Sequence, residues 1–462
     1  MSGWRRSKRP ASSQQPNLPG VFAPPARRSR RLATPHDQAL EIARTRIGSA
    51  FILFAVAYLL IASRLVFVTV LNEGPEMPVA QPSLGDSVAT RADITDRNGT
   101  ILATSLPTIS LCADAKKIPN ADEAATQLMG VLPDLYADRL AEALHGAKHC
   151  VMLKRHLTPK QTYEVNKLGI AGLEFRPDER RLYPAGDITA HTVGYTDIDN
   201  HGLAGMEKSL NRRLEEEPDA VALSIDLRLQ NILHRELANG MASFSAEGAS
   251  GLIMDISTGE ILSMVSLPDF DPQHPGTARE ETRFNRDTMG VYEMGSTFKI
   301  FNTAMALDSG LIHLGDSFDT VHPIEIGGQS IKDFHNESRW LNVAEIFTHS
   351  SNIGSARMAD RLGGARQRAF LAQLGLTEKS TIELPEVGAP LLPSMREWGQ
   401  ATTMTASFGH GIAVNAVQLA GAVATVVNNG LPVHPTLLKQ TSASTDGQPG
   451  QRVISPRTSA MM

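Results

Sequence analysis

Ser296 and Lys299 are the two residues of this chain whose types and spacing most directly permit chemistry. They lie in the string Tyr292-Glu293-Met294-Gly295-Ser296-Thr297-Phe298-Lys299, where an apolar-periodic run begins with Phe298, Phe301 and Met305. At that spacing on a helix they share one face a single turn apart, so the hydroxyl and the amine could share a proton. The bare spacing is weak, since roughly one or two Ser-x-x-Lys strings arise by chance in a chain of this size. Here it occurs once, inside a longer string, and the context has to decide.

Other chemistry has less support. No paired carboxylates and no phosphate-cradling glycine loop compete for the role. With only Cys112 and Cys150 there is no disulfide framework and no cysteine-rich metal site. A bridge between the two is possible, and two free or buried thiols are the simpler reading. His191 could be a base, but with no nucleophile or ligand set near it in sequence a structural histidine is preferred. A net charge of -5 over 462 residues gives no reason to expect a nucleic-acid binder.

The elements that must position the Ser/Lys pair follow from the chain in order. Residues 1–46 are rich in Pro, Ser and Arg, with ten basic residues against two acidic, and read as a disordered basic tail. Residues 47–70 form an apolar run long enough to cross a bilayer, interrupted by Arg64 near one end, where its stem can snorkel. A cleavable signal peptide would be shorter. The charge asymmetry puts the tail in the cytoplasm and everything after the span outside. Residues 71–88, with Pro75, Pro78 and Pro82, read as a stiff linker.

A small mixed α and β domain is expected over 89–217. It holds a hairpin at Asn98-Gly99, helices near Ala121–Val131 and Leu135–Leu144, a strand near Cys150–Leu153, and a helix from Pro159 capped by Thr158. From 218 a helix-rich domain is expected to carry the Ser/Lys pair. In it a helix capped by Asp226 precedes strands at Ala249–Met254 and Glu260–Ser266. Asn342 opens a capping box that leads into Ser350-Ser351-Asn352, and helices follow over Ile353 to about Leu374 and over Ala416–Val427.

Several strings in this order resemble the class B penicillin-binding proteins, the membrane-anchored peptidoglycan D,D-transpeptidases. They are RADITDRNG with ILATS, RRLYPAGDITAHTVGYTD, GLAGMEKSLN, LSIDLRLQNIL, MDISTGEILSMVSLPDFDP, YEMGSTFK, THSSNIG and SFGHG, and the similarity runs from about Arg44 to the last residue. SSN together with SFGHG resembles the division-specific FtsI type. The resemblance implies an α+β fold: one N-terminal transmembrane helix, a mixed α/β pedestal (dimerisation) domain, and a penicillin-binding, serine β-lactamase-like transpeptidase domain over 218–462. Ala92 and Met294 depart from the family's usual glycine and proline without removing a reacting group.

Carried over residue by residue, Ser296 becomes the acylated nucleophile and Lys299 its base, held neutral part of the time by burial and a neighbouring cation. Ser350 would relay a proton to the leaving amine, and Asn352 would orient Lys299 and bond the donor peptide. Ser209-Leu210-Asn211 has the same Ser-x-Asn form but precedes the nucleophile and is set aside. The implied reaction cross-links stem peptides at the division septum, with β-lactams acylating the same serine and no metal or organic cofactor. The implied partners are peptidoglycan, the inner membrane, and a septal glycosyltransferase with other division proteins.

The family's third motif, Lys-Thr-Gly, does not follow Asn352, where the only lysines are Lys379 and Lys439. The transpeptidase domain is therefore expected to lack its C-terminal strands. With them would go a carboxylate-binding cation, an edge strand for the donor peptide, and one oxyanion N–H. The polypeptide as given is expected to be inactive or poorly folded. The alternatives are a non-enzymatic membrane-anchored scaffold of the division complex, and a D,D-carboxypeptidase or β-lactam-binding protein.

Overall fold

The computed structural model describes residues 48–49, 51–63, 91–146, 149–335, 337–440 and 451–462. The chain divides into two compact units, 1–83 and 84–462. In the first, residues 51–63 form an apolar helix exposed along its whole length. Among the described residues no helix is long and apolar enough to cross a membrane. The expected basic tail, the whole of the linker and the remainder of the expected span lie outside the described residues.

The second unit opens with β1 (Ile94–Thr95) and β2 (Ile101–Ala113), antiparallel around the expected Asn98-Gly99 turn. Gly99 takes a φ of +87° there, and the Asp96 carboxylate accepts from Asn98 N and Thr100 N at 2.8 Å each. Beyond the turn β2 is a shared central strand. One side pairs with β4 (Leu173–Leu182) from Thr104 to Ala113, and the other with β3 (Val151–Leu157). Helices α1 (Ala121–Val131) and α2 (Ala137–His145) bury Leu128, Leu140 and Leu144 against Leu111 and Leu157. The next helix, α3 (Pro159–Lys167), has the Thr158 cap that was expected, completed by Gln161 as a capping box.

Cys112 and Cys150 form a disulfide, with Cα atoms 5.6 Å apart. This corrects the expectation of two thiols. Their sequence separation of 38 hides the proximity that strand pairing creates, because Cys112 sits opposite Met152, two positions beyond Cys150.

The glycine-rich strings close on themselves through backbone contact. A Cβ on Gly194 would lie 1.9 Å from the Ala204 carbonyl oxygen, and one on Gly205 would lie 2.6 Å from Gly194. Only glycine fits two chains crossing this closely. The charges around them pair as a fully buried triad. Glu207 accepts from Arg91 Nε and from Arg181 Nε at 2.7 Å each, while the guanidinium of Arg181 also donates to the carbonyls of Arg91 and Ala92. Every charge there is met, as burial of an ion requires.

A hydrogen-bonded seam joins this sheet to the module that follows. β5 (Val221–Ala222) runs parallel to β1, Leu223 bridges Leu438, and Thr436 bridges Glu260. One apolar core lies beneath the seam, with Ile94 and Leu102 packed in the same cluster as Ile261, Met264 and Leu437. From Asp226, its N-cap, α4 (Leu227–Phe244) packs on the hairpin of β6 (Ala249–Met254) and β7 (Ile261–Leu267). Apart from the Glu260 bridge, this hairpin pairs only with itself among the described residues.

Asp287 lies behind β6, fully buried, and its carboxylate oxygens have no full hydrogen-bond partner, the Ser250 hydroxyl interacting only weakly. Burial pushes its pKa well above the usual carboxylate range. The folded state thus holds a proton that the unfolded chain releases, so stability should fall as pH rises from about 4 through the raised folded value. Asp287→Asn is expected to flatten that slope, stabilising the fold by about 1–3 kcal/mol at mildly alkaline pH and hardly at all near pH ~4. Melting temperature against pH for both proteins checks this; parallel curves would exclude it.

Candidate active site

Tyr292 pairs with Val414 through both backbone bonds, at 2.9 and 3.0 Å, and so delivers the chain to Gly295–Phe298, a 3₁₀ turn that continues into α5 (Lys299–Asp308). A 3₁₀ turn eclipses residues three apart more closely than an α-helix does. Ser296 and Lys299 are consequently stacked, with Nζ 3.1 Å from the serine Oγ. The apolar run forms the floor: Phe298, Phe301 and Met305 are buried, the two rings edge to face. Ser296 stays exposed, whereas Lys299 is 2% exposed.

Such a buried ammonium needs acceptors, and one segment supplies them. Lys299 Nζ donates to the Ser350 carbonyl at 2.5 Å, Ser350 Oγ at 2.9 Å and Asn352 Oδ1 at 2.8 Å. Ser350 Oγ in turn donates to Ser296 Oγ at 3.0 Å, which closes a ring of three side chains. Ser350 reaches the lysine with both of its oxygens from a left-handed backbone, φ +53°, a conformation that costs a non-glycine residue about 1 kcal/mol or more.

The surroundings hold that conformation in place. The capping box of Asn342 and Glu345 starts α6 (Val343–Thr348), and Ser351 N returns to the Ile346 carbonyl at 2.9 Å. Ser351 caps α7 (Asn352–Leu362) and donates to Asp333 Oδ2 at 2.6 Å, while Asp333 Oδ1 accepts from Ile353 N at 2.9 Å. Asn352 Nδ2 is fixed by the Lys332 carbonyl at 3.1 Å. The single helix expected from Ile353 to Leu374 is two, because Gly363, at φ +86°, ends α7 before α8 (Gly364–Gln373) begins.

Burial lowers the Lys299 pKa to about 8, with Asp333 pulling weakly the other way. Desolvation therefore acts without a neighbouring cation: among the described residues the charge acting on Lys299 is an acid. A lysine near neutrality in this range can take a proton from a hydroxyl that touches it.

Two residues not singled out in the sequence hold the backbone around Ser296. Gly409, at φ +76°, lies against Gly295, and a Cβ there would stand 2.3 Å from the Gly295 carbonyl oxygen. Glu293 accepts from Gly411 N at 3.0 Å and pairs with His410 Nδ1 at 2.9 Å. The signal was available in YEMGSTFK and SFGHG, but nothing in either string says that they meet.

His191 and Asn211 have structural positions. His191 is packed edge-on to Phe270 with Nε2 2.9 Å from the Thr282 carbonyl, and burial pushes its pKa down to about 4. Asn211 Oδ1 accepts from Arg91 Nη1 and Gly202 N, away from the Ser296 site. Among the described residues no group of three His, Cys, Asp or Glu is placed to hold a metal ion.

Residues 249–462 match the penicillin binding protein transpeptidase domain, and residues 86–221 match the penicillin-binding protein dimerisation domain. The class is thus a penicillin-binding protein with a pedestal in front of a transpeptidase domain. The chain is 39% identical to a probable peptidoglycan D,D-transpeptidase FtsI of Caulobacter vibrioides, over 80% of this chain and 63% of that protein. It is 32% identical to a probable peptidoglycan D,D-transpeptidase PenA of Neisseria meningitidis, over 85% of this chain and 74% of that protein. Identity to the peptidoglycan D,D-transpeptidase FtsI of Escherichia coli is 30%, over 82% of this chain and 70% of that protein. The crystal structure of a peptidoglycan synthetase from Bifidobacterium adolescentis superposes with a TM-score of 0.62 at 22% identity, over 80% of this chain and 79% of that one, and so shares the fold. The chain belongs to the class B penicillin-binding proteins, the family of peptidoglycan D,D-transpeptidases. It spans 63% of the length of the Caulobacter relative.

Gly409→Ala is expected to destabilise the fold by about 1–3 kcal/mol, because it adds a left-handed strain to a contact with backbone that cannot yield. Denaturant unfolding checks this, with Gly315→Ala as a control at a glycine whose added Cβ meets nothing.

Proposed function

We propose that Ser296 is the acylated nucleophile of a D,D-transpeptidase that cross-links peptidoglycan stem peptides at the division septum. The observation that carries this reading is the exposed Ser296 hydroxyl 3.1 Å from a buried lysine whose pKa lies near 8. Lys299 takes the hydroxyl proton as Ser296 Oγ bonds to the penultimate D-Ala carbonyl. The C–N bond to the terminal D-Ala then breaks, and the proton passes through Ser350 to the leaving amine. An amine of a neighbouring stem attacks the acyl-serine, loses its proton along the same path, and frees Ser296. Asn352 orients Lys299 and bonds the donor peptide amide. A β-lactam follows the first half of this course and stops at the acyl-serine.

The pedestal over 89–217 and the transpeptidase domain over 218–462 are on this reading periplasmic, anchored through residues 47–70 in the inner membrane and open to a septal glycosyltransferase and other division proteins. The names of the Caulobacter and Escherichia coli relatives favour the septal assignment over a role in elongation.

No Lys-Thr-Gly follows Asn352 in these residues, so residues 1–462 alone are expected to acylate slowly and to form no cross-linked product. A fluorescent penicillin should label them at a rate about 10²–10³ below that of the Escherichia coli relative, the usual effect of losing one oxyanion donor. Peptide mapping should place the adduct on Ser296, and Ser296→Ala should abolish it; an adduct elsewhere would overturn the assignment. Because the base must be neutral, the labelling rate should rise with pH and level off above about 8.

A further inference from the structure

Helices α5 and α7 carry the two halves of the candidate site, and their relative register sets every distance around Lys299 Nζ. Apolar side chains lie between them, Ala306 of α5 and Met358 of α7 being buried in one cluster. Surfaces of this kind pack without specifying a register to a fraction of an ångström. Besides the bond of Lys299 Nζ to Asn352 Oδ1 at the reacting end, one further side-chain bond crosses between these helices among the described residues: Asn302 Nδ2 donates to the Ser355 carbonyl at 3.1 Å. Both partners occupy equivalent places, Asn302 three residues after Lys299 and Ser355 three residues after Asn352.

The bond is made at a cost. Asn302 is 4% exposed, and its Oδ1 is sealed from solvent without a hydrogen-bond partner. A half-satisfied buried amide normally destabilises a fold by about 1–3 kcal/mol relative to an apolar residue of the same shape. The neighbouring Thr303 Oγ1 and Ser355 Oγ are likewise buried without partners, but neither takes part in the crossing bond. Stability alone would favour leucine at position 302.

We infer that Asn302 is a positioning residue, which locks the helix of Ser296 and Lys299 in register with the segment of Ser350 and Asn352. A side chain that costs stability and is spent on a single directional bond, one turn behind the reacting groups, has placement as its gain. An apolar residue would let α5 slide or rotate against α7 by a few tenths of an ångström, and the three acceptors from Ser350 and Asn352 would no longer converge on Nζ. Displacement of about 1 Å at a reacting group can slow a reaction by 10²-fold.

This inference rests on reading Lys299 as the base of Ser296, and the experiment separates the two. Asn302→Leu, Asn302→Ala and Thr303→Val are made in the full chain and measured three ways: melting temperature, penicillin acylation of Ser296, and the Lys299 titration midpoint from its ¹³Cε shift. The Asn302 variants should acylate roughly tenfold more slowly, and their Lys299 midpoint should move from that of the parent protein. Asn302→Leu should do so with an unchanged or higher melting temperature. Thr303→Val, which deletes an unpartnered hydroxyl from the same buried layer, should leave acylation and midpoint unaltered. Asn302→Ala removes the donor without added bulk and is decisive if leucine fails to fold. Parent-like acylation and midpoint in the Asn302 variants overturn the inference, and so does an equal loss in Thr303→Val, which would make the effect one of general packing. The Lys299 midpoint is read without any acylation, so it judges the register lock even if Ser296 proves not to be the nucleophile.

Discussion

An ammonium group taken out of water must be met by acceptors, and the site around Ser296 is organised by where Lys299 finds them. Three of its four contacts come from Ser350 and Asn352, some fifty residues away in sequence, so the lysine cannot be buried until that segment is in place. The unusual backbone of Ser350 follows from the same demand, since only the left-handed turn offers its carbonyl and its hydroxyl to one cation. Asp333, Ser351 and the capping box of Asn342 then serve to hold that turn. The resulting low pKa comes from desolvation against a nearby carboxylate, so a modest change in solvent access to Nζ would be felt directly as a change in basicity.

Local rules made much of this legible before any coordinates. Thr158 with Pro159, Asn342 with Glu345, and Asp226 announce helix starts because each satisfies N–H groups within its own turn. The Asn98-Gly99 hairpin and the Ser/Lys stacking are likewise short-range. What remained hidden is non-local. The Cys112–Cys150 bridge depends on strand register, the Glu293 contacts join residues more than a hundred positions apart, and Gly409 meets Gly295 through backbone that carries no side-chain signature. Gly363, at φ +86°, ends α7 inside a stretch whose apolar period carries on past it. Burial, one of the two causes expected to lower the Lys299 pKa, acts here by itself, and the cation expected to go with the Lys-Thr-Gly strand has no counterpart among the described residues.

Buried polar groups are met to different degrees. In the pedestal, Arg91, Arg181 and Glu207 are completely sealed, yet each guanidinium and carboxylate is fully bonded, so the triad fixes the geometry of the glycine crossing beside it. In the other module Asp287, behind β6, and Asn302, one turn from Lys299, are sealed and incompletely bonded. Incomplete satisfaction lowers stability, and where it falls beside Lys299 it fits the general trade between a tightly placed site and a maximally stable fold.

The seam between pedestal and transpeptidase module also sets an order of events. Ile94 waits for Val221, and Leu223 waits for Leu438, partners separated by more than a hundred residues in each case. The layer built from β2, β3 and β4 with its two covering helices can form as soon as the first half of the chain exists. The seam cannot, and until the residues around Leu438 have emerged from the ribosome the outer edge of β5 is an unpaired strand edge with an open apolar core beneath it. For much of its synthesis the chain therefore presents one sticky edge, and the segment around Leu438 is what covers it.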